Sequence, residues 1–399
     1  MHFFQIIPSS PVSSPSIQPR TFFAAGSSRS TSFPLSGTSS TRSSSSSLSL
    51  ASALPGLAIV FSFACATLTT LDAATSVPNM SPLTGDIVTD MTGIFVCIFA
   101  CLAASYATLT PVKTRRTTRL NAPASSAASL KSKKNATSTS ARWFVDARTN
   151  PSKAWAETFC LKYSACWIAS VVVVIATSAY ESFGRWGYLA YCGACAAPAV
   201  FVPLMFPCGA DAKRKLGDRY IIKANVWIAV FSFIGNYWYT HYFYAVLKAD
   251  YTFDAHRLND VPISMYLMTH AYFMFYHVLS NAALRRIRTG FVDDAYRFVF
   301  ECVAVGAMSY TTAFMESLTI CGFPYYSFDN RHMAYTLGSA FYGIYFLVSF
   351  PMFLRVDENK PMPMSQVFWE SMGSGMAVLC LLDFVRVYLR IPFAMRIRN

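Results

Sequence analysis

The sequence predicts an all-α protein, a polytopic transmembrane helical bundle with about seven core spans and one or two more near the N-terminus. Three observations carry this. Of 399 residues, 54% are hydrophobic and only 13% are charged, the composition of a chain solvated largely by lipid. The apolar runs are long and do not alternate, so they read as helices rather than barrel strands, the only two solutions that satisfy a backbone in hydrocarbon. Basic residues collect in alternate short loops, as the positive-inside rule requires.

Residues 1 to 47 are Ser-rich, with Arg20, Arg29 and Arg42 and no acid. Such a segment builds no core, and it reads as a targeting segment or as a plain tail. Within 48–112 lie two apolar segments, Leu48 to Leu71 and Thr92 to Thr110. Residues 113–149 form a basic, low-complexity stretch with Asp146 as its one acid, expected to be a solvated, disordered linker on the cytosolic face against anionic lipid. Composition changes near Asn150, where a transmembrane domain begins that reaches to about residue 390; 391–399 is a short tail.

Seven apolar runs follow, roughly 158–180, 186–206, 221–247, 262–284, 296–320, 334–354 and 366–388. Lys213 to Arg219, Arg285 to Arg297, and Arg355 with Lys360 make the loops after the second, fourth and sixth runs basic. Those loops and the linker are expected to be cytosolic. The arginines after the seventh run break the alternation, so that run either crosses or is re-entrant. The net charge of +13 does not point to nucleic acid, because its residues sit in these loops. The eleven Cys are scattered, and Cys192-x-x-Cys195 has no second pair to make a metal site with.

The fourth run holds the sharpest polar signal. From Pro262 to Leu284 it has no acid, Lys or Arg, yet it carries Tyr266, His270, His277 and Asn281. At 100° per residue these share one stripe within about 40° of each other. Polar side chains in hydrocarbon face a bundle interior, where they pair or work. The run is expected to stop at Arg285, Arg286 and Arg288, reaching the interface. In the third run Asn225, Ser232, Asn236 and Thr240 make a second stripe, with Tyr237, His241 and Tyr242 beside it. The fifth run has Glu301 and Glu316, about 22 Å apart along a helix and so no catalytic pair. Glu301 is expected to cap or pair near a basic loop and is kept as a substrate-side residue. Glu316 lies among Phe314, Met315 and Leu318, where desolvation keeps a carboxyl neutral and able to donate. Asp383 is expected to pair with Arg386. Tyr325 and Tyr326 read as an interface anchor or gate. No phosphate loop, nucleophile elbow or zinc motif is present. Two classes remain: an enzyme doing acid–base chemistry on a lipid, or a sterol-binding or proton-coupled transport protein with a polar cavity.

A set of strings narrows this. NPSKAWAE at 150–157, DRYIIKANVWI at 218–228, GNYWYTHYF at 235–243 and YTF at 251–253 come first. LMTH at 267–270, FYHVLSNAALRRIR at 275–288, FPYYSF at 323–328 and YFLVSFPMFLR at 345–355 follow in order. Together they resemble the cycloeucalenol cycloisomerases, the plant-type cyclopropylsterol isomerases. The resemblance covers residues 150 to about 390. It implies an enzyme of sterol biosynthesis in the endoplasmic reticulum membrane, with a plastid membrane as the alternative raised by the Ser-rich start. It implies opening of the 9β,19-cyclopropane of cycloeucalenol to give obtusifoliol, a Δ8 sterol, by protonation at C19 and loss of the C8 proton, with no redox cofactor. The partners would be the sterol in the bilayer and membrane lipids, with no nucleic acid. Burial and stripe position then nominate Glu316 or a charged His as donor, His270 or His277 as acceptor, and His241 as a further catalytic residue. Tyr237, Tyr242, Tyr266 and Phe273 would line the cation, and Asn236 and Asn281 would orient the imidazoles.

Overall fold

A computed structural model describes residues 87–112, 141–245, 248–321, 324–329 and 331–389. The Ser-rich start, the 48–71 run and residues 113–140 of the linker lie outside them. Helix α1 is Ile87–Ala107, α2 is Pro151–Ala176 and α3 is Arg185–Met205. Helix α4 runs through Tyr220–Ile234, a π turn at Gly235–Tyr239, and Thr240–Ala245. Helix α5 is Ile263–Gly290 and α6 is Ala295–Cys321; α7 is Arg331–Leu354, with a second π turn at Ala334–Gly338; α8 is Met364–Leu389. Among the described residues, α1, α2, α3, α6, α7 and α8 contain segments long and apolar enough to cross a membrane. The chain is a multi-pass membrane protein built as a helical bundle, and all seven core runs are helical.

The local reasons are legible. Asn150 caps α2 by accepting from the Lys153 amide at 3.1 Å, and Pro151 opens the helix where its missing N–H costs nothing. Helices α6 and α7 pack together, α3 packs on α5, and α8 packs on α4. Their shared core holds Trp227 and Phe231 of α4, Phe273 of α5, and Phe346, Phe350 and Phe353 of α7. Contact of α8 with α4 is close enough to need a glycine. A Cβ on Gly375 would lie 3.1 Å from Ile234 Cγ2 and 3.3 Å from the Tyr239 hydroxyl. That hydroxyl bonds the Gly375 carbonyl, and Ser371 Oγ bonds the Trp227 carbonyl at 2.7 Å. Two short antiparallel ribbons join the helices at one end. Strand β1 (Ala249–Tyr251) pairs with β4 (Tyr326–Phe328), Tyr251 opposite Tyr326; β2 (Arg257–Leu258) pairs with β3 (Val261–Pro262).

The basic loops gather at the other end, and here the structure departs from two expectations. Helix α5 does not stop at its arginines. It continues to Gly290, and Arg285 is buried rather than at the interface. Residues 141–149 are largely exposed yet held against α5; Arg142 N donates to Thr289 Oγ1 at 2.8 Å, and Arg286 sits over the Trp143 ring. One network explains both. Arg285 makes a two-pronged bond to Glu157 (2.8 and 2.9 Å), a second to Glu358 (2.7 and 2.8 Å), and a fifth bond to the Trp143 carbonyl. Lys153 reaches Glu358 at 2.7 Å and the carbonyls of Leu354 and Val356. Lys223 grips Asp357, whose φ of 49° turns its carboxylate inward to accept the Met362 amide too. A guanidinium has five donors in a fixed fork, and here all five are used. The side chain of Arg386, the expected partner of Asp383, lies outside the described set.

Glu358 lies in the loop between α7 and α8. Burial works to raise its carboxyl, but the Arg285 fork and the Lys153 ammonium outweigh that and hold it below its ordinary value. A depressed acid stabilises the fold above its unfolded pKa, and that stability is lost as pH falls through the folded one. We expect Glu358→Gln to melt earlier than the parent at pH 7, with the gap closing below about pH 4.3. Melting in detergent across pH 3 to 7 checks this; a gap constant with pH would refute it.

Candidate functional site

Near the ribbon end, helices α4, α5, α6 and α7 enclose a cavity of about 220 Å³. Both π turns wall it, through Gly235, Asn236 and Tyr239 on one side and Ala334 and Gly338 on the other. A π turn widens a helix by one residue and is found disproportionately at functional sites. Helix α5 contributes Met265, Met268, Thr269, Tyr272 and Phe273. Tyr251, Tyr326 and Phe328 of the β1–β4 ribbon close the top. Burial raises the Tyr251 and Tyr326 hydroxyls above their ordinary value, so this cap stays neutral.

Glu316 of α6 projects into this space. Among the described residues lining the cavity it is the one carboxyl, and no imidazole, amine or guanidinium joins it. Tyr342 Oη donates to Glu316 Oε2 at 2.9 Å, and the Tyr276 hydroxyl faces the same carboxyl. Around it the aromatic wall is nearly continuous: the Tyr342 and Tyr345 ring centroids are 5.0 Å apart, and Tyr345 and Tyr239 are 4.7 Å apart. A second polar group lies on the α4–α5 side, where Thr269 Oγ1 donates to Asn236 Oδ1 at 3.4 Å and Thr240 also lines the wall. No group of three or more His, Cys, Asp or Glu among the described residues is placed to hold a metal ion.

The other expected site residues are distributed differently. Tyr242 and Phe273 line the cavity with Asn236. His270 does not; its Nε2–H donates to Asn225 Oδ1 at 2.9 Å, because the Asn225 amide is already given to the Ala199 and Ile221 carbonyls. His277 is wholly buried. Its Nδ1–H donates to the Phe273 carbonyl at 2.7 Å and its Nε2 accepts from Ser349 Oγ at 2.7 Å, inside a cage of Trp227, Phe350 and Phe353 rings. Asn225 and Ser349, rather than Asn236 and Asn281, thus hold the imidazoles. Asn281 donates to Glu157 in the charged network, and Glu301 pairs with Arg288 near the basic end. Tyr266 bonds the Leu258 carbonyl, Tyr237 stacks on Phe233, and His241 packs edge-on against Tyr244; none of the three lines the cavity.

Sequence reading passed over the tyrosines. Tyr272, Tyr276, Tyr342 and Tyr345 surround the carboxyl and were not nominated. The usable signal was Tyr272 and Tyr276 one turn apart on a span rich in polar groups, facing away from the histidine stripe. A spanning helix has no reason to carry two phenols at mid-depth unless they face a partner.

Fold and site together define a multi-pass membrane protein that holds, among the described residues, a single carboxyl in a tyrosine-lined cavity. Compared with curated proteins, the chain is 42% identical over 245 residues to the cycloeucalenol cycloisomerase of Arabidopsis thaliana, spanning 60% of this chain and 88% of that protein. The chain belongs to the cycloeucalenol cycloisomerase family and is an isomerase. No family model matches it, and no solved structure does.

Proposed function

We propose that the protein opens the 9β,19-cyclopropane ring of cycloeucalenol to give obtusifoliol, and that Glu316 moves the proton. The observation that carries this is the isolation of Glu316 as the cavity's one carboxyl among the described residues, with no imidazole or amine beside it. The neutral carboxyl gives its proton to C19. The C9–C19 bond breaks, and its electron pair becomes the new C19–H bond. C19 is left as a methyl on C10, and a cation develops at C9. Loss of the C8 proton places its pair between C8 and C9, giving the Δ8 alkene. C8 and C19 are both bonded to C9, so one carboxylate with two oxygens can serve both ends and recover its proton. One proton enters, one leaves, and no electrons are exchanged.

The surroundings fit those demands. Tyr342 and Tyr276 stabilise the carboxylate between the two steps. The faces of Tyr272, Phe273, Tyr242 and Tyr345 attract the cation without trapping it, at about 0.5–2 kcal/mol each. Asn236, Thr269 and Thr240 serve as the anchor for the sterol's 3-hydroxyl. The histidines act on the scaffold: for His277 to accept the proton, its ring would have to abandon Ser349. The membrane is that of the endoplasmic reticulum; the acid-free, Ser-rich residues 1–47 favour a plastid membrane as the second reading.

The test is conversion. Membranes bearing the chain, from cells lacking the activity, are fed cycloeucalenol without added cofactor and assayed for obtusifoliol by gas chromatography with mass detection. Conversion is expected. Unchanged cycloeucalenol with abundant, folded protein would favour the sterol-binding or transport reading. Within the same assay Asn236→Ala is expected to raise KM about 5-fold, the value of one lost hydrogen bond of about 1 kcal/mol, and to leave kcat within about 2-fold. An unchanged KM removes Asn236 from the hydroxyl anchor.

A further inference from the structure

Helix α1 precedes the first of the strings that mark the family, and the likeness to the Arabidopsis isomerase takes in 245 of 399 residues. Most of its surface is exposed, with Val88, Val96 and Phe99 turned outward, as befits a helix facing lipid. In its first half, two contacts turn inward. Asp90 is buried, and its Oδ2 accepts from His332 Nε2 at 2.9 Å. Phe95 meets the rings of Tyr310 and Phe314 edge-on, at centroid distances of 6.1 and 5.1 Å.

Both contacts lead to the cavity wall. His332 sits two residues before the π turn of α7, and its carbonyl accepts from Thr336 Oγ1, inside that turn, at 2.9 Å. Ala334 and Gly338 of the turn line the cavity. Phe314 is two residues before Glu316 on α6, and its ring also meets Tyr335 of the turn. Burying a carboxylate in a lipid-facing helix is expensive unless it is paired. An anchor that only fastened α1 to the bundle could be apolar, as Tyr106 is where its ring meets Phe291 and Phe300 at the other end.

We propose that Asp90 is a positioning residue for the isomerase cavity. Through His332 it holds the α7 π turn against α6, and so holds the wall opposite Asn236 in register with Glu316. A helix outside the strings shared with the family thereby sets the geometry of the reaction. The proposal rests on the cavity being the active site, and Glu316→Gln tests that separately.

The experiment uses the full chain in membranes. Asp90→Asn, His332→Asn and the exchanged pair Asp90→His with His332→Asp are assayed beside Glu316→Gln, each normalised to extracted protein. Asp90→Asn is expected to lower kcat about 10-fold, since small misplacements in a site are costly, with KM moved less than 2-fold. The exchanged pair, which restores an imidazole–carboxylate contact, is expected to recover at least half of the parental rate. A merely structural bond would change abundance and leave the kcat of surviving protein unchanged. If Asp90→Asn does not accumulate or keeps the bond through its amide oxygen, His332→Asn, which removes the imidazole donor, is read in its place. Full kcat in the variant so read, or no recovery in the exchanged pair, overturns the proposal. Full rate in Glu316→Gln would instead overturn the cavity reading beneath it.

Discussion

Glu316→Gln is expected to lower turnover of cycloeucalenol by about 10²-fold or more, the usual cost of losing a general acid–base group, while the protein stays abundant. Glutamine keeps the shape and can still accept from Tyr342, so the fold loses little. It cannot supply a proton to carbon. No other carboxyl, imidazole or amine lines the cavity among the described residues, and the phenols around it are far weaker acids than a carboxyl. Tyr342→Phe should cost much less, because the carboxyl keeps its proton and loses one stabilising bond. Initial rates at saturating sterol, normalised to protein, decide the matter. Near-full activity in Glu316→Gln would move the chemistry out of this cavity, and with it every role assigned around Glu316.

The second large effect lies at the basic end. Arg285→Met is expected to destabilise the protein by about 3–5 kcal/mol, the cost of removing one partner from a buried charge pair. Glu157 is 1% exposed and would be left with Asn281 as its donor across the gap. Glu358 would retain only Lys153. Adding Glu157→Gln to Arg285→Met should recover part of the loss by removing the stranded charge. Melting of detergent-extracted protein, single and double variants together, measures the coupling. A drop below about 1 kcal/mol, the range of an exposed ion pair, would mean that water reaches this network. Activity per folded molecule should change little in these variants, which separates them from changes at Glu316.

The helical stripe on α5 was legible because period and polarity suffice to find it. Tyr266, His270, His277 and Asn281 do share one edge. What they touch was not legible, since that depends on the heights of neighbouring helices. The four bond in turn Leu258, Asn225, Ser349 and Glu157, a seam between helices rather than a chamber. On α4 the expected stripe faces α5 at two heights, Asn225 meeting His270 and Asn236 meeting Thr269. The π turn at Gly235–Tyr239 carries Asn236, and with Thr240 it lines the cavity. No single-sequence rule announces a π turn. Glu316 was legible because a lone carboxyl deep in an apolar run has few readings. The strings NPSKAWAE and FYHVLSNAALRRIR, which carry the family resemblance, supply Lys153, Glu157, Asn281 and Arg285 to the charged network.

The two π turns carry a consequence for how such a chamber can change. Beyond each turn, every later residue is rotated by about 100° and set back by about 1.5 Å relative to an uninterrupted helix. The identity of the groups facing the cavity is therefore a matter of phase. Moving the extra residue by a few positions along α4 or α7 would present the substrate with a different side-chain alphabet, while the helix ends, the ribbon and the charged network stayed where they are. The lining of such a chamber could thus be retuned by the placement of a single residue of chain length, with no substitution among the residues that line it.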